Sequence, residues 1–74
     1  MKYKIGDIFD AKRDKAIHYA QITKITDIYV TYFWLKDKYE FTMTHNSFKH
    51  ALLREYKLLE LSEKEKLVLK VKYS

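Results

Sequence analysis

Along much of this chain apolar side chains return at every second position, the period of a strand whose residues point to alternate faces. The strongest run is 28–35, rich in β-branched and aromatic residues. Its alternation sets Ile28, Val30, Tyr32 and Trp34 on one face and Tyr29, Thr31, Phe33 and Leu35 on the other. Lys36-Asp37-Lys38 turns the chain back, and 39–43 pairs with the strand before it as a hairpin. Upstream, 4–9 reads as a short strand bent at Gly6, where a missing Cβ permits close backbone approach. Residues 10–15 read as a polar loop. A second strand follows over 16–25, with Ala20 and Ile22 pointing one way, and Thr26-Asp27 turns into the third.

The period changes after Met43. Thr44 is a good N-cap, because its hydroxyl accepts from the free N–H groups of a first helical turn. Met43 and Phe48 stand at the positions of a hydrophobic staple. Phe48, Ala51 and Leu52 keep the three-four spacing of a helix and face inward. Residues 56–61 read as a short strand. In the tail two patterns compete. Ser62-x-x-Glu65 is a capping box that opens a helix, whereas Leu67, Leu69, Val71 and Tyr73 alternate with Val68, Lys70 and Lys72 as in a strand. The alternation favours a final strand after a turn at 62–66.

Strand, polar loop, three consecutive strands, a short helix and a short strand follow the order of small SH3-like barrels. The stretch HYAQITKITDIYVTYF resembles the centre of Tudor and KOW-type barrels, where an aromatic–Ala–x–Ile strand leads through a turn into a Val–x–Tyr strand. The resemblance implies a mainly β, α+β fold with one short helix: a single SH3-like barrel of about five antiparallel strands over residues 1–74. Where many Tudor domains carry Asp-Tyr-Gly-Asn, this chain has Trp34-Leu35-Lys36-Asp37, so an aromatic cage for methylated ligands does not carry over. YKIGDIF and FTMTHNSF are similar to segments of small accessory proteins of Gram-positive phages and prophages.

Composition changes this picture in two ways. With 74 residues and no cysteine, the chain cannot rely on disulfides or thiolate metal sites, and a domain so small has a thin stability margin. Dense aromatic packing is the remaining remedy. Six of the twelve aromatic residues fall between Tyr29 and Phe41. Secondly, the net charge of +5 is concentrated at the two ends: residues 1–15 carry five bases and three acids, and 62–74 four bases and two acids. Such a surplus attracts polyanions, though it equally serves solubility. The first seven residues already include an acid, unlike a secretory signal, and no apolar run approaches a membrane span. A cytoplasmic, soluble protein is expected.

Enzymatic chemistry finds little support. Ser47 and His50 stand three apart on the expected helix, but nothing supplies an oxyanion site. His18, His45 and His50 match no metal-ligand spacing, and one glycine excludes the phosphate-binding loops. Asp7, Asp10 and Asp14 lie among Lys12, Arg13 and Lys15 and read as solvated counter-charges. No catalytic residue, metal or cofactor is expected.

Binding is the remaining class. Burial of one face of 28–35 is explained by the core alone, at about 1.5–3 kcal/mol per large apolar side chain. On the other face, coverage by the helix or the C-terminal strand is expected for Leu35 and is open for Phe33; whichever of Tyr29, Phe33 and Tyr39 stays exposed is then free to act. As protein-interface anchors they would serve a partner or a second copy. As stacking platforms they would hold nucleic-acid bases, with Lys12, Arg13 and Lys15 in the first loop and Lys36 and Lys38 in the hairpin turn tracking phosphates. Protein contact is the first expectation and DNA or RNA the second.

Overall fold

The computed structural model describes residues 3–13 and 16–74, and for 12–17 the backbone path where described but not the side chains. Among these residues five strands, β1 (Ile8–Arg13), β2 (Ala16–Ile25), β3 (Tyr29–Trp34), β4 (Tyr39–Thr44) and β5 (Tyr56–Leu58), form one antiparallel sheet in the order β4-β3-β2-β1-β5. Two helices accompany it: α1 (His45–Arg54) between β4 and β5, and α2 (Glu63–Lys72) after β5. The sheet is open, with β4 and β5 at its two margins.

One face of the sheet carries an aromatic core. Phe9 is fully buried at its centre, with ring centroids 4.8 Å from Tyr56, 5.1 Å from Tyr32, 5.4 Å from Phe48 and 6.1 Å from Trp34. Ala11, Ala20, Ile22 and Val30 fill the spaces between the rings, and Tyr3 closes the cluster from the N-terminal segment. α1 seals this face through Phe48, Ala51 and Leu52. Its cap is as expected: the Thr44 hydroxyl accepts from the Ser47 N–H, and Met43 joins Phe48 in the cluster.

Alternation on β3 holds for Val30, Tyr32 and Trp34, which are buried. Ile28 departs from it, 60 % exposed, because it lies in the β2–β3 turn. There the Thr26 hydroxyl accepts from the N–H groups of Ile28 and Tyr29, so the strand begins only at Tyr29. The polar loop expected over 10–15 is instead strand as far as Arg13. Lys12 pairs with Ile17 and Arg13 with Ala16, leaving only 14 and 15 outside the described residues. The strand expected over 56–61 stops at Leu58.

The final strand is overturned. Residues 63–72 are helical, opened by the full capping box between Ser62 and Glu65. The inward side chains are Lys66, Leu69 and Tyr73, at helical spacing, while Leu67, Val68 and Val71 stay exposed. α2 lies on the outer face of the sheet. It is held at its start by Lys66, whose ammonium stands 3.9 Å from Asp7 and 3.6 Å from Glu63, and at its end by Tyr73 against Tyr19, 6.1 Å between ring centroids.

Candidate binding surface

Consecutive antiparallel pairing makes β1 and β3 run in the same direction, so the β1–β2 and β3–β4 turns rise at one end of the sheet. The last turn of α2, with Lys70 and Lys72, arrives there too, because the Lys38 ammonium donates to the Tyr73 carbonyl. A cation at a helix C-terminus is favourably placed against its dipole. Lys12 and Arg13 end β1 at this same level of the backbone; Lys15 and the side chains of Lys12 and Arg13 lie outside the described residues. The opposite end holds the start of α2 with Glu63 and Glu65, near Asp7.

The aromatic residues singled out from sequence do not share one surface. Tyr29 and Phe33 are on the outer face, four residues apart along β3, or roughly 13 Å. Phe33 is half-buried near the turn, whereas Tyr29 is exposed at the far end. Tyr39 pairs with Trp34 across the hairpin and therefore points to the core side. Lys36, Lys38 and Tyr39 come together at the turn, with Lys38 in the left-handed region at φ 61°. Leu35, expected to be covered, is buried.

β4 adds a residue that the sequence reading passed over. Phe41 lies opposite Tyr32 and so shares the core side with Tyr39, yet it is 44 % exposed and Tyr39 47 %. α1 starts from the end of β4 and packs on Met43, and the other side chains of β4 stay exposed. Among the described residues β4 pairs only with β3. The other margin is different: β5 has three residues, with Tyr56 buried and Lys57 pointing out. Only the position of β4 at the margin exposes Phe41, and no local pattern in the sequence announces a margin.

A shallow groove of about 390 Å³ lies between α2 and the sheet, lined among others by Tyr19, Leu61, Val68 and Leu69. At the start of α1, His45 is fully engaged: Nε2 is 2.6 Å from the Thr26 carbonyl and Nδ1 2.7 Å from the Tyr3 hydroxyl. The Ser47 hydroxyl faces Thr44 at 3.1 Å. Among the described residues no three His, Asp or Glu side chains stand close enough to hold a metal ion. Among the described residues no helix is long and apolar enough to cross a membrane.

Comparison with known protein families, with curated proteins and with solved structures finds no match to this chain.

Proposed function

We propose that this chain is a non-enzymatic binding module, an SH3-like small barrel left open along β4, that acts by contact with protein. The observation that carries the reading is the β4 margin, a strand whose outer edge has no partner among the described residues and which carries two half-exposed aromatic rings on one side. Folds that avoid such contacts protect an edge with lysine, proline, a bulge or a very short strand. β4 has none of these: it is six residues long, its register with β3 is regular, and Glu40 is its one charge. The strand order, with a helix between β4 and β5, supports the barrel reading. The similarity of YKIGDIF and FTMTHNSF to phage-type accessory proteins supports a role as a small adaptor in such a system.

A second reading, nucleic-acid binding, is favoured by one observation: Lys36, Lys38, Lys70 and Lys72 gather at one end of the molecule beside Tyr39. Fluorescence anisotropy with single- and double-stranded DNA and RNA, at low and physiological salt, separates the two. For a protein-contact module, any binding seen at low salt is weak and is unaffected by Tyr39→Ala. Tight binding that falls steeply with salt, and is lost in both Tyr39→Ala and Lys36→Ala, would transfer the function to nucleic acid. A photoreactive phenylalanine analogue at position 41, irradiated in the producing cell, should give protein adducts; their absence would count against protein contact.

A further inference from the structure

We infer that β4 is the pairing edge for a second copy of this chain, the two sheets joining antiparallel about a two-fold axis at Phe41. This rests on the reading of the chain as a protein-contact module and names its partner.

The geometry leaves little freedom. In an antiparallel pair, residues directly opposite point to the same face of the sheet. Two copies related by a two-fold axis pair each residue with one at a constant sum of numbers. That sum must be even, or apolar positions of one copy would meet polar positions of the other. Centring on Glu40 places like charges directly opposite, which is destabilising. Centring on Thr42 leaves Tyr39 against the start of α1 of the second copy, outside its strand. Centring on Phe41 sets Phe41 against its own equivalent, Tyr39 against Met43 of the second copy, and Glu40 against Thr42 of the second copy, with every one of these residues inside β4.

The hydrogen-bond phase agrees. His45 donates from its N–H to the Ile28 carbonyl. Alternation then gives Met43, Phe41 and Tyr39 the bonds to β3 and turns the N–H and C=O of Glu40 and Thr42 outward. In the Phe41-centred register these outward groups meet as hydrogen-bonded pairs, Glu40 with Thr42 of the second copy and the reverse. Phe41 falls at a non-hydrogen-bonded position, where opposite side chains are closest, about 4.5 Å between Cα atoms. One contact thus satisfies the free edge and covers the rings that α1 leaves exposed. It joins two five-stranded sheets into one. A single six-residue edge is smaller than a standard interface of ~1,600 Å², so the dimer forms in the micromolar range or above and responds to concentration.

Light scattering and sedimentation from low micromolar to near-millimolar protein, with amide exchange read residue by residue, test this. The expected result is a monomer–dimer equilibrium in which the amides of Glu40 and Thr42 become at least tenfold better protected as the dimer forms. Thr42→Pro removes an outward N–H and not a β3 bond, so it should leave a folded monomer at every concentration. Phe41→Glu, which sets two carboxylates face to face, should do the same. A wild-type monomer throughout the range would overturn the inference, as would a dimer whose Glu40 and Thr42 amides exchange at the monomer rate. A monomer that cross-links from position 41 to another protein would sink self-pairing and keep the module reading. A monomer that instead binds nucleic acid in a steeply salt-dependent way, with loss in Tyr39→Ala, would sink both.

Discussion

Tyr3 and His45 hold each other in a defined pattern of protons. The Thr26 carbonyl only accepts, so in the neutral ring Nε2 of His45 carries the hydrogen and Nδ1 accepts from the Tyr3 hydroxyl. Burial raises the Tyr3 pKa above its ordinary value of 10.0. A folded value above the unfolded one means that this contribution to stability is complete below about pH 10 and is lost as pH rises through the folded value. Loss of the proton also removes the donor to His45. Tyr3→Phe should therefore cost about 0.5–1.5 kcal/mol at neutral pH and have a shallower alkaline fall in stability than the parent. Denaturant titrations of both proteins at neutral and alkaline pH check this; parallel curves would contradict it. No periodic pattern in the sequence marked Tyr3 as core, since it precedes the first strand and is buried where α1 packs over it, with its ring centroid 4.8 Å from that of Phe48.

Elements differ in how openly the sequence displays them. β3, β4 and α1 were legible because alternation, a threonine cap and a three-four apolar spacing agree with one another over each segment. The tail was misread because Leu67, Leu69 and Val71 alternate by coincidence; the capping box of Ser62 and Glu65 outweighs an alternation that no partner strand rewards. Ser62→Ala should cost about 0.5–2 kcal/mol. The loss belongs to α2, so amide exchange should quicken across 63–72 while β2 and β3 keep their protection; uniform quickening would mean that helix and sheet unfold together. Gly6 is a second case of local chemistry. Its φ of 98° is a conformation rarely adopted by residues with a Cβ, while beyond its two chain neighbours no atom stands within 4 Å of where that Cβ would sit. Gly6→Ala should thus cost about 1–3 kcal/mol through backbone strain alone, with the same spectra and a lower denaturation midpoint.

At the scale of the whole molecule, the core face of the sheet is covered, the outer face is covered only in part, with Tyr29 exposed on it, and one margin is unprotected. α1 supplies the core lid, α2 crosses the outer face, and β4 is left with its rings half in solvent. The antiparallel sheet itself was legible from alternation, whereas its openness was not, because a margin is a property of strand order. The same limit applied to the candidate site. Lys36, Lys38 and Tyr39 adjoin in sequence and in space, while Tyr29 was separated from them by the length of β3. Positive charge also gathers at one end of the molecule, from Lys36 and Lys38 in the β3–β4 turn and Lys70 and Lys72 in the last turn of α2, whereas at the start of α2 Lys64 and Lys66 offset Glu63 and Glu65. Its first effect is on encounter: the basic end should meet polyanions faster at low salt, even where nothing there fixes an orientation.

The return of β5 to β1 has a kinetic consequence. β1 to β4 form a meander in which every pairing joins neighbours in sequence, whereas Ala11 meets Tyr56 only after the chain has closed a loop around three strands and a helix. Closing that loop loses chain entropy before any contact repays it. The meander should accordingly assemble first, with β5 docking onto Phe9 on the product side of the main barrier. A Tyr56→Phe variant, which loses the hydroxyl contact to Tyr32 at 3.1 Å, should then unfold faster while refolding at nearly the parental rate. Stopped-flow chevrons of the two proteins decide it, and a slowed refolding arm would place the β1–β5 closure inside the nucleus instead.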